Sequence, residues 1–319
     1  MFARIRYRFP GGELVLREGL LERSSNDTAV KGFVLSPFPG DALFVLKEAA
    51  TPNLINSISV ELPVEVSEYE YLDTAQQFLH DLRSEAIGKA VLSRVKKVPF
   101  DPSKTSELFE SLCSSYTESF VYLLESEEFG TWIGASPEVL LNCENGRCTT
   151  VALAGTIAAN GSQLWTEKER NEQRMVTDDI LELLVSGGAS EIDVSDVEEV
   201  LAGPVRHLRT TISFTFSGDP VALAASLQPT SAVSGYPRKP ALELIARSEK
   251  HKRRLYSGMI GEVDQSACTL FVNLRCAMRS DNHLYLFLGG GFTVDSEVNK
   301  EWLETENKSR TLLNIVESL

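Results

Sequence analysis

Leu284-Tyr285-Leu286-Phe287-Leu288-Gly289-Gly290-Gly291 is a short apolar run that ends in three glycines, and a helical segment follows it from Asn299 to Ser318. A run of this length bounded by glycine reads as a buried strand. The glycines allow close backbone approach to a ligand or a special turn, with a flexible hairpin as the plain alternative. Similar runs recur outward from this point. Gly32 to Leu35 and Ala42 to Leu46 are separated by Pro37, Pro39 and Gly40, and further strands are expected at Lys89 to Val95, Phe120 to Leu124, Gly130 to Ala135, Thr149 to Leu153, Thr211 to Phe216 and Cys268 to Met278. Helical spacing of Tyr71, Ala75, Phe78 and Leu82 predicts a helix there, and a second is predicted over Glu167 to Leu184. Strands in runs, with helices inserted between groups of them, predict an α+β fold rather than an alternating parallel sheet. No repeat and no Pro/Gly/Ser linker divides the chain, so residues 1–319 are expected to form one unit, with the strand-rich 1–70 part of it and 71–316 its core.

Composition narrows the function classes. The chain has 319 residues, 43% of them hydrophobic and 24% charged, which is globular usage. A net charge of −14 repels a phosphate backbone, so nucleic acid is not an expected partner. An anionic small molecule remains possible if a metal ion and a few cationic side chains reverse the sign locally. The cysteines Cys113, Cys143, Cys148, Cys268 and Cys276 are odd in number, contain no CxxC pair and lack a neighbouring histidine set, so reduced structural thiols are expected. No run approaches the ~20 apolar residues that span a bilayer, and the N-terminus has no apolar signal region. No membrane association and a cytoplasmic location are therefore expected.

Some carboxylates look misplaced. In the helix from Glu167, the positions Glu172, Met175, Val176, Asp179, Ile180 and Leu183 share one stripe, so Glu172 either points inward or reaches water from the stripe's edge. An inward carboxylate must be paired, hydrogen-bonded or metal-bound. Glu301, Glu304 and Lys308 project from one face of the last helix, which by itself reads as a solvated salt-bridged surface and, beside Gly289, Gly290 and Gly291, as one wall of a site.

Taken in order, several motifs resemble the chorismate-binding family, which includes anthranilate synthase component I, aminodeoxychorismate synthase component I, isochorismate synthase and salicylate synthase. They are Lys89-Ala90-Val91-Leu92-Ser93-Arg94, Ile133 to Glu138, Ala152-Leu153-Ala154-Gly155-Thr156, Lys168-Glu169-Arg170-Asn171-Glu172 and His207-Leu208-Arg209-Thr210. They continue with Gln228 to Gly235, Tyr256-Ser257-Gly258, Leu274-Arg275-Cys276-Ala277 and Glu301-Trp302-Leu303-Glu304-Thr305-Glu306-Asn307-Lys308. The resemblance implies packed antiparallel sheets flanked by helices, with the active site in a central cleft. It implies Mg²⁺ as cofactor, bound by Glu172 and Glu304 with Glu301 close by, and chorismate as substrate, anchored by Tyr256, Arg275 and Lys308 beside Ala154, Gly155, Thr156 and the glycine run.

The resemblance also bears on the reaction. Lys89 matches the base that activates water, a position where ammonia-using relatives usually carry glutamine, and Glu138 matches the general acid. Ala154 stands where aminodeoxychorismate synthases often carry a nucleophilic lysine, which excludes that covalent route. His207 is expected near the ring, in a third catalytic role. Conversion of chorismate to isochorismate, feeding menaquinone or siderophore biosynthesis, is the expected activity. His207-Leu208-Arg209-Thr210 resembles the isochorismate synthase version more than that of salicylate synthase, which goes on to eliminate pyruvate. A relative that binds chorismate without turnover is the remaining alternative. The region before Lys89 is shorter than in many relatives, so neither an allosteric amino-acid site nor a glutaminase subunit is expected, and a monomer is. Gln228, Ser231 and Phe292 depart from the family pattern, and such changes could reshape the pocket wall.

Overall fold

The structure is a computed structural model that describes residues 1–24, 30–50, 60–159, 164–265 and 267–319. Its strands are β1 (Phe2–Arg8), β2 (Leu14–Arg23), β3 (Gly32–Ser36), β4 (Phe44–Glu48), β5 (Lys89–Pro99), β6 (Phe120–Ser126), β7 (Gly130–Ser136), β8 (Val139–Glu144) and β9 (Arg147–Ala158). They continue as β10 (Ser190–Val194), β11 (Glu198–Ala202), β12 (Val205–Thr215), β13 (Gly235–Tyr236), β14 (Met259–Val263), β15 (Ala267–Val272), β16 (Cys276–Ser280) and β17 (His283–Thr293). The helices are α1 (Glu68–Ser84), α2 (Thr105–Ser115), α3 (Glu167–Ser186), α4 (Pro220–Leu227), α5 (Arg238–Ser248) and α6 (Val298–Val316).

Strand pairing follows one antiparallel path. Its first half runs β13-β5-β17-β16-β7-β6-β1-β2. Its second runs β4-β3-β14-β15-β8-β9-β12, with β10 and β11 both on β12, and the halves join where β2 pairs with β4. The halves pack face to face through an aromatic core. Tyr7, Phe120, Trp132 and Phe287 come from the first half and Phe33 and Phe271 from the second, with Tyr7 and Phe33 ring centres 5.1 Å apart and Phe120 and Phe271 4.9 Å apart. Burying each such side chain is worth about 2 kcal/mol or more, and the offset ring contacts add to it. Helices cover the outer faces. α2 and α6 seal one side of the first half through Phe109, Leu112, Leu312 and Leu313, α1 and α5 pack on Ala90, Leu92 and Phe292, and α3 and α4 cover the second half through Val176, Ile180, Leu184 and Leu223.

Local chemistry sets the helix starts. Ser67 and Glu70 form a reciprocal capping box at α1, Thr166 and Glu169 form another at α3, and Asp219 caps α4 just before Pro220.

Two expectations are corrected. The single strand expected from Cys268 to Met278 is two, β15 and β16, because the chain crosses between the sheet halves at Asn273-Leu274-Arg275 and Arg275 takes a left-handed φ of 49°. The five thiols are not all reduced. Cys143 and Cys148 lie opposite each other across the β8–β9 hairpin, Cα atoms 4.1 Å apart, and form a disulfide, which leaves Cys113, Cys268 and Cys276 free.

Candidate active site

Two crossovers between the sheet halves lie side by side and build the cleft. The chain leaves β7 at Ser136, turns through Pro137-Glu138 and enters β8, while β15 passes through Asn273 to Arg275 into β16. Backbone bonds tie them together: Val272 N–H donates to Glu138 O at 3.0 Å, and Ala135 N–H donates to Arg275 O at 3.1 Å. Glu138 and Arg275 are thus delivered into one partly enclosed cavity.

The opposite wall comes from a bulge. His207 pairs with Thr156 and Leu208 with Ala154, which leaves Gly155 as the extra residue with φ +73°, a conformation that favours glycine. The bulge turns the Gly155 carbonyl toward His207, whose Nδ1 lies 3.0 Å from it and 3.2 Å from Thr156 Oγ1. A carbonyl can only accept, so Nδ1 carries the proton, and Nε2 accepts from Arg275 Nη2 at 2.9 Å. Burial, then the charges of Arg275 and Lys308, push the imidazole well below its ordinary value, so it is neutral. The acceptor nitrogen of His207 is thus taken by Arg275, and its proton is given to a backbone carbonyl.

The glycine run is neither a turn nor a loose hairpin. Gly289, Gly290 and Gly291 continue β17 and pair with Ser93, Leu92 and Val91 of β5. None of the three has a positive φ, so glycine is required for space. A Cβ on Gly291 would lie 2.4 Å from Glu172 Oε1 and 3.2 Å from Lys89 Cε, one on Gly289 2.6 Å from the Tyr256 hydroxyl, and one on Gly290 3.3 Å from Glu301 Oε2. Strand alternation explains the division, with Gly289 and Gly291 facing the cleft and Gly290 facing α6.

Each candidate carboxylate is held by its own lysine. Glu172 Oε1 is 3.2 Å from Lys89 Nζ, Glu301 Oε1 is 2.6 Å from Lys168 Nζ, and Glu304 Oε1 is 2.6 Å from Lys308 Nζ, which also donates to Gly289 O at 2.9 Å. Glu301 and Lys89 are each only 1% exposed. Among the described residues no three His, Cys, Asp or Glu side chains converge into a cage, and Glu172, Glu301 and Glu304 are each offset by an ammonium. The donors nonetheless fit a hard divalent cation. They are all carboxylate oxygens, Glu301 Oε2 is buried without a hydrogen-bond partner, and the bare backbone of Gly290 and Gly291 leaves space beside Glu301 Oε2 and Glu172 Oε1.

Arg94 joins the strand motif to the helix motif. It pairs with Glu306, donates to Thr305 Oγ1 at 2.8 Å and lies 3.8 Å over the Trp302 ring, which fixes α6 against β5. Burial raises the Glu138 carboxyl to about 7, against partial relief from Lys89, Lys308 and Arg275, and raises the Tyr256 hydroxyl to about 12.

Residues 41–314 match the family model described as chorismate binding enzyme. The chain belongs to that family. It is 31% identical over 244 residues to isochorismate synthase EntC from Escherichia coli, an alignment that covers 72% of this chain and 62% of EntC. It is 28% identical to isochorismate synthase MenF from Escherichia coli, across 99% of this chain and 75% of MenF. In structure it resembles the protein DhbC from Bacillus anthracis, with a TM-score of 0.82, 22% identity and coverage of 99% of this chain and 96% of that one. This last likeness is one of fold.

Against this family background, Glu138, Ala154, Gly155, Thr156, Glu172, His207, Tyr256, Arg275, Gly289, Gly291 and Lys308 line the cavity, whereas Lys89, Gly290, Glu301 and Glu304 lie outside its lining. Sequence reasoning missed Val91, Leu153, Val233 and Leu288, which supply the apolar wall and carry no signal beyond strand alternation. It also gave no role to Lys168, although the motif around it was visible. The departures at Gln228, Ser231 and Phe292 do not line the cavity: Phe292 packs on Phe78 under α1, and Ala232 and Val233 form the wall beside Ser231.

Proposed function

We propose that the chain is an isochorismate synthase that converts chorismate to isochorismate by adding water at C2 while the C4 hydroxyl departs. The observation that carries this reading is Glu138, a buried carboxyl raised to about 7 that faces the same cavity as Arg275 and Lys308, so that a proton donor and two cations meet around a site for an anionic ring. Family membership and the names of the relatives EntC and MenF support it.

The mechanism follows from the residues. Arg275 binds a substrate carboxylate, and His207 holds the guanidinium in place through Nε2 while Gly155 O fixes its tautomer. His207 is thus a positioning residue. Lys89, buried against Gly291 and Glu172, takes a proton from the attacking water once its ammonium has passed one to solvent, and Glu138 gives a proton to the oxygen that leaves C4. One water enters and one departs, so the product is an isomer, and proton exchange returns Lys89 and Glu138 to their starting states. Tyr256, Lys308 and the main chain of Ala154 to Thr156 orient the ring, and Val91, Leu153 and Leu288 limit water around it. Glu172, Glu301 and Glu304 would hold Mg²⁺, which supplies positive charge for the ring carboxylate. Water as nucleophile needs no glutaminase partner.

Incubation with chorismate and Mg²⁺, followed by chromatography of the products, tests the reading. Isochorismate is the expected product. Stoichiometric salicylate and pyruvate would replace it with salicylate synthase, and binding without conversion would leave a non-catalytic relative.

A further inference from the structure

Lys168 stands in the first turn of α3, one helical turn before Glu172, and reaches across to Glu301 on α6. An ammonium at a helix N-terminus opposes the helix dipole, so the helix itself gives no reason for a lysine there. Its partner does. Glu301 is almost wholly buried, Ser296 Oγ donates to Oε1 at 2.7 Å, Lys168 Nζ donates to the same oxygen at 2.6 Å, and Oε2 is left without a partner on the side of Gly290. Without Lys168 the carboxylate would be a buried charge offset by no cation in contact, a costly state.

The three site lysines differ in how freely they can leave. Lys89 is enclosed in β5, and Lys308 has a second bond to the Gly289 carbonyl. Lys168 has Glu301 as its hydrogen-bond acceptor, and its side chain is 20% exposed. It can therefore swing into water without leaving a buried donor unpaired.

We propose that Lys168 is a built-in counter-ion of Glu301, which neutralises the buried carboxylate when no divalent cation is bound and is displaced into solvent when one binds. The inference rests on the reading of Glu172, Glu301 and Glu304 as a divalent-cation site. Lys168 competes with the ion for Glu301, so the intact protein binds metal more weakly than its oxygen donors alone would, and keeps Glu301 ordered in the meantime.

Titration with Mn²⁺ followed by electron paramagnetic resonance, without chorismate, tests it. Lys168→Gln is expected to bind Mn²⁺ about tenfold more tightly than the wild type, the scale of one partly screened charge. Lys168→Arg, which keeps the cation, is expected to bind within about twofold of the wild type. In chelator, Lys168→Gln should melt below the wild type, and saturating Mn²⁺ should close the gap. The wild-type protein gives a check that no variant's folding can disturb: labelling of Lys168 by an amine-reactive ester, read by mass spectrometry, should rise several-fold on addition of Mg²⁺. Unchanged labelling, or Mn²⁺ affinity that is unaltered or weaker in Lys168→Gln, overturns the proposal. If Mn²⁺ binds and Glu301→Gln abolishes binding while Lys168→Gln does not matter, only the counter-ion role fails. If Mn²⁺ does not bind, or binds as well to Glu172→Gln and Glu301→Gln, the cation site itself is refuted, and the counter-ion with it.

Discussion

Replacing Glu138 by glutamine separates its charge from its shape. Burial raises this carboxyl from an ordinary 4.5 to about 7. The sign follows from linkage. Between pH 4.5 and 7 the folded protein keeps a proton that the unfolded chain has released, so stability contributed below pH 4.5 is lost as pH rises, and the loss is complete just above 7. A shift of this size corresponds to roughly 3 kcal/mol. Glu138→Gln has no proton to lose at that position. The difference in unfolding free energy between variant and wild type should therefore move by about 3 kcal/mol in favour of the variant between pH 4.5 and 7.5, as measured by urea denaturation at fixed ionic strength. In the wild type, kcat/KM should fall above pH 7 along a one-proton limb, and Glu138→Gln should lose about 10²-fold to 10⁴-fold in kcat at pH 7. A stability difference that is flat with pH would refute the buried neutral carboxyl, and full activity in the variant would refute its role as the acid.

Other substitutions probe the rest of the cleft. Gly291→Ala drives a methyl group into the Glu172 carboxylate and should cut kcat/KM at least tenfold while the fold persists, checked by assay and circular dichroism. In ¹⁵N-labelled protein, His207 should give the signals of a neutral imidazole protonated at Nδ1 from pH 5 to 8, and Arg275→Met should release Nε2 and change them. Arg94→Lys keeps the charge but loses the stack on Trp302 and the forked contacts to Thr305 and Glu306, and should cost about 2 kcal/mol in thermal or urea unfolding.

The sequence carried the strand and helix positions well where apolar periodicity was strong. Examples are β5, β6, β7 and the two long helices α3 and α6, because each buries one regular face. It failed at Arg275. A run of apolar residues from Cys268 to Met278 looks continuous, and only the three-dimensional crossover shows that Leu274 and Arg275 leave one sheet half for the other. The short helices α4 and α5 were missed because their apolar stripes are brief and their ends are set by Asp219 and by packing against β5. Among site residues, Glu172 was visible as a carboxylate on an apolar stripe, whereas Glu301 stood out only with Glu304 and Lys308 on one helix face beside the glycine run. The tautomer of His207 was not, because it depends on a bulge at Gly155 that no local pattern announces. The disulfide was equally hidden, since a spacing of five residues becomes a pair only once the hairpin register is set.

The two crossovers at Pro137-Glu138 and Asn273-Arg275 mean that neither sheet half owns the reaction. Lys89 and the glycine run belong to the first half, Thr156 and His207 to the second, and Glu138 and Arg275 to the seam. A chain with one half folded would have ordered strands and helices but no working centre. Turnover would then register complete joining of the halves more sharply than helix or sheet content does, and selection on activity would police their relative angle through residues far from the substrate.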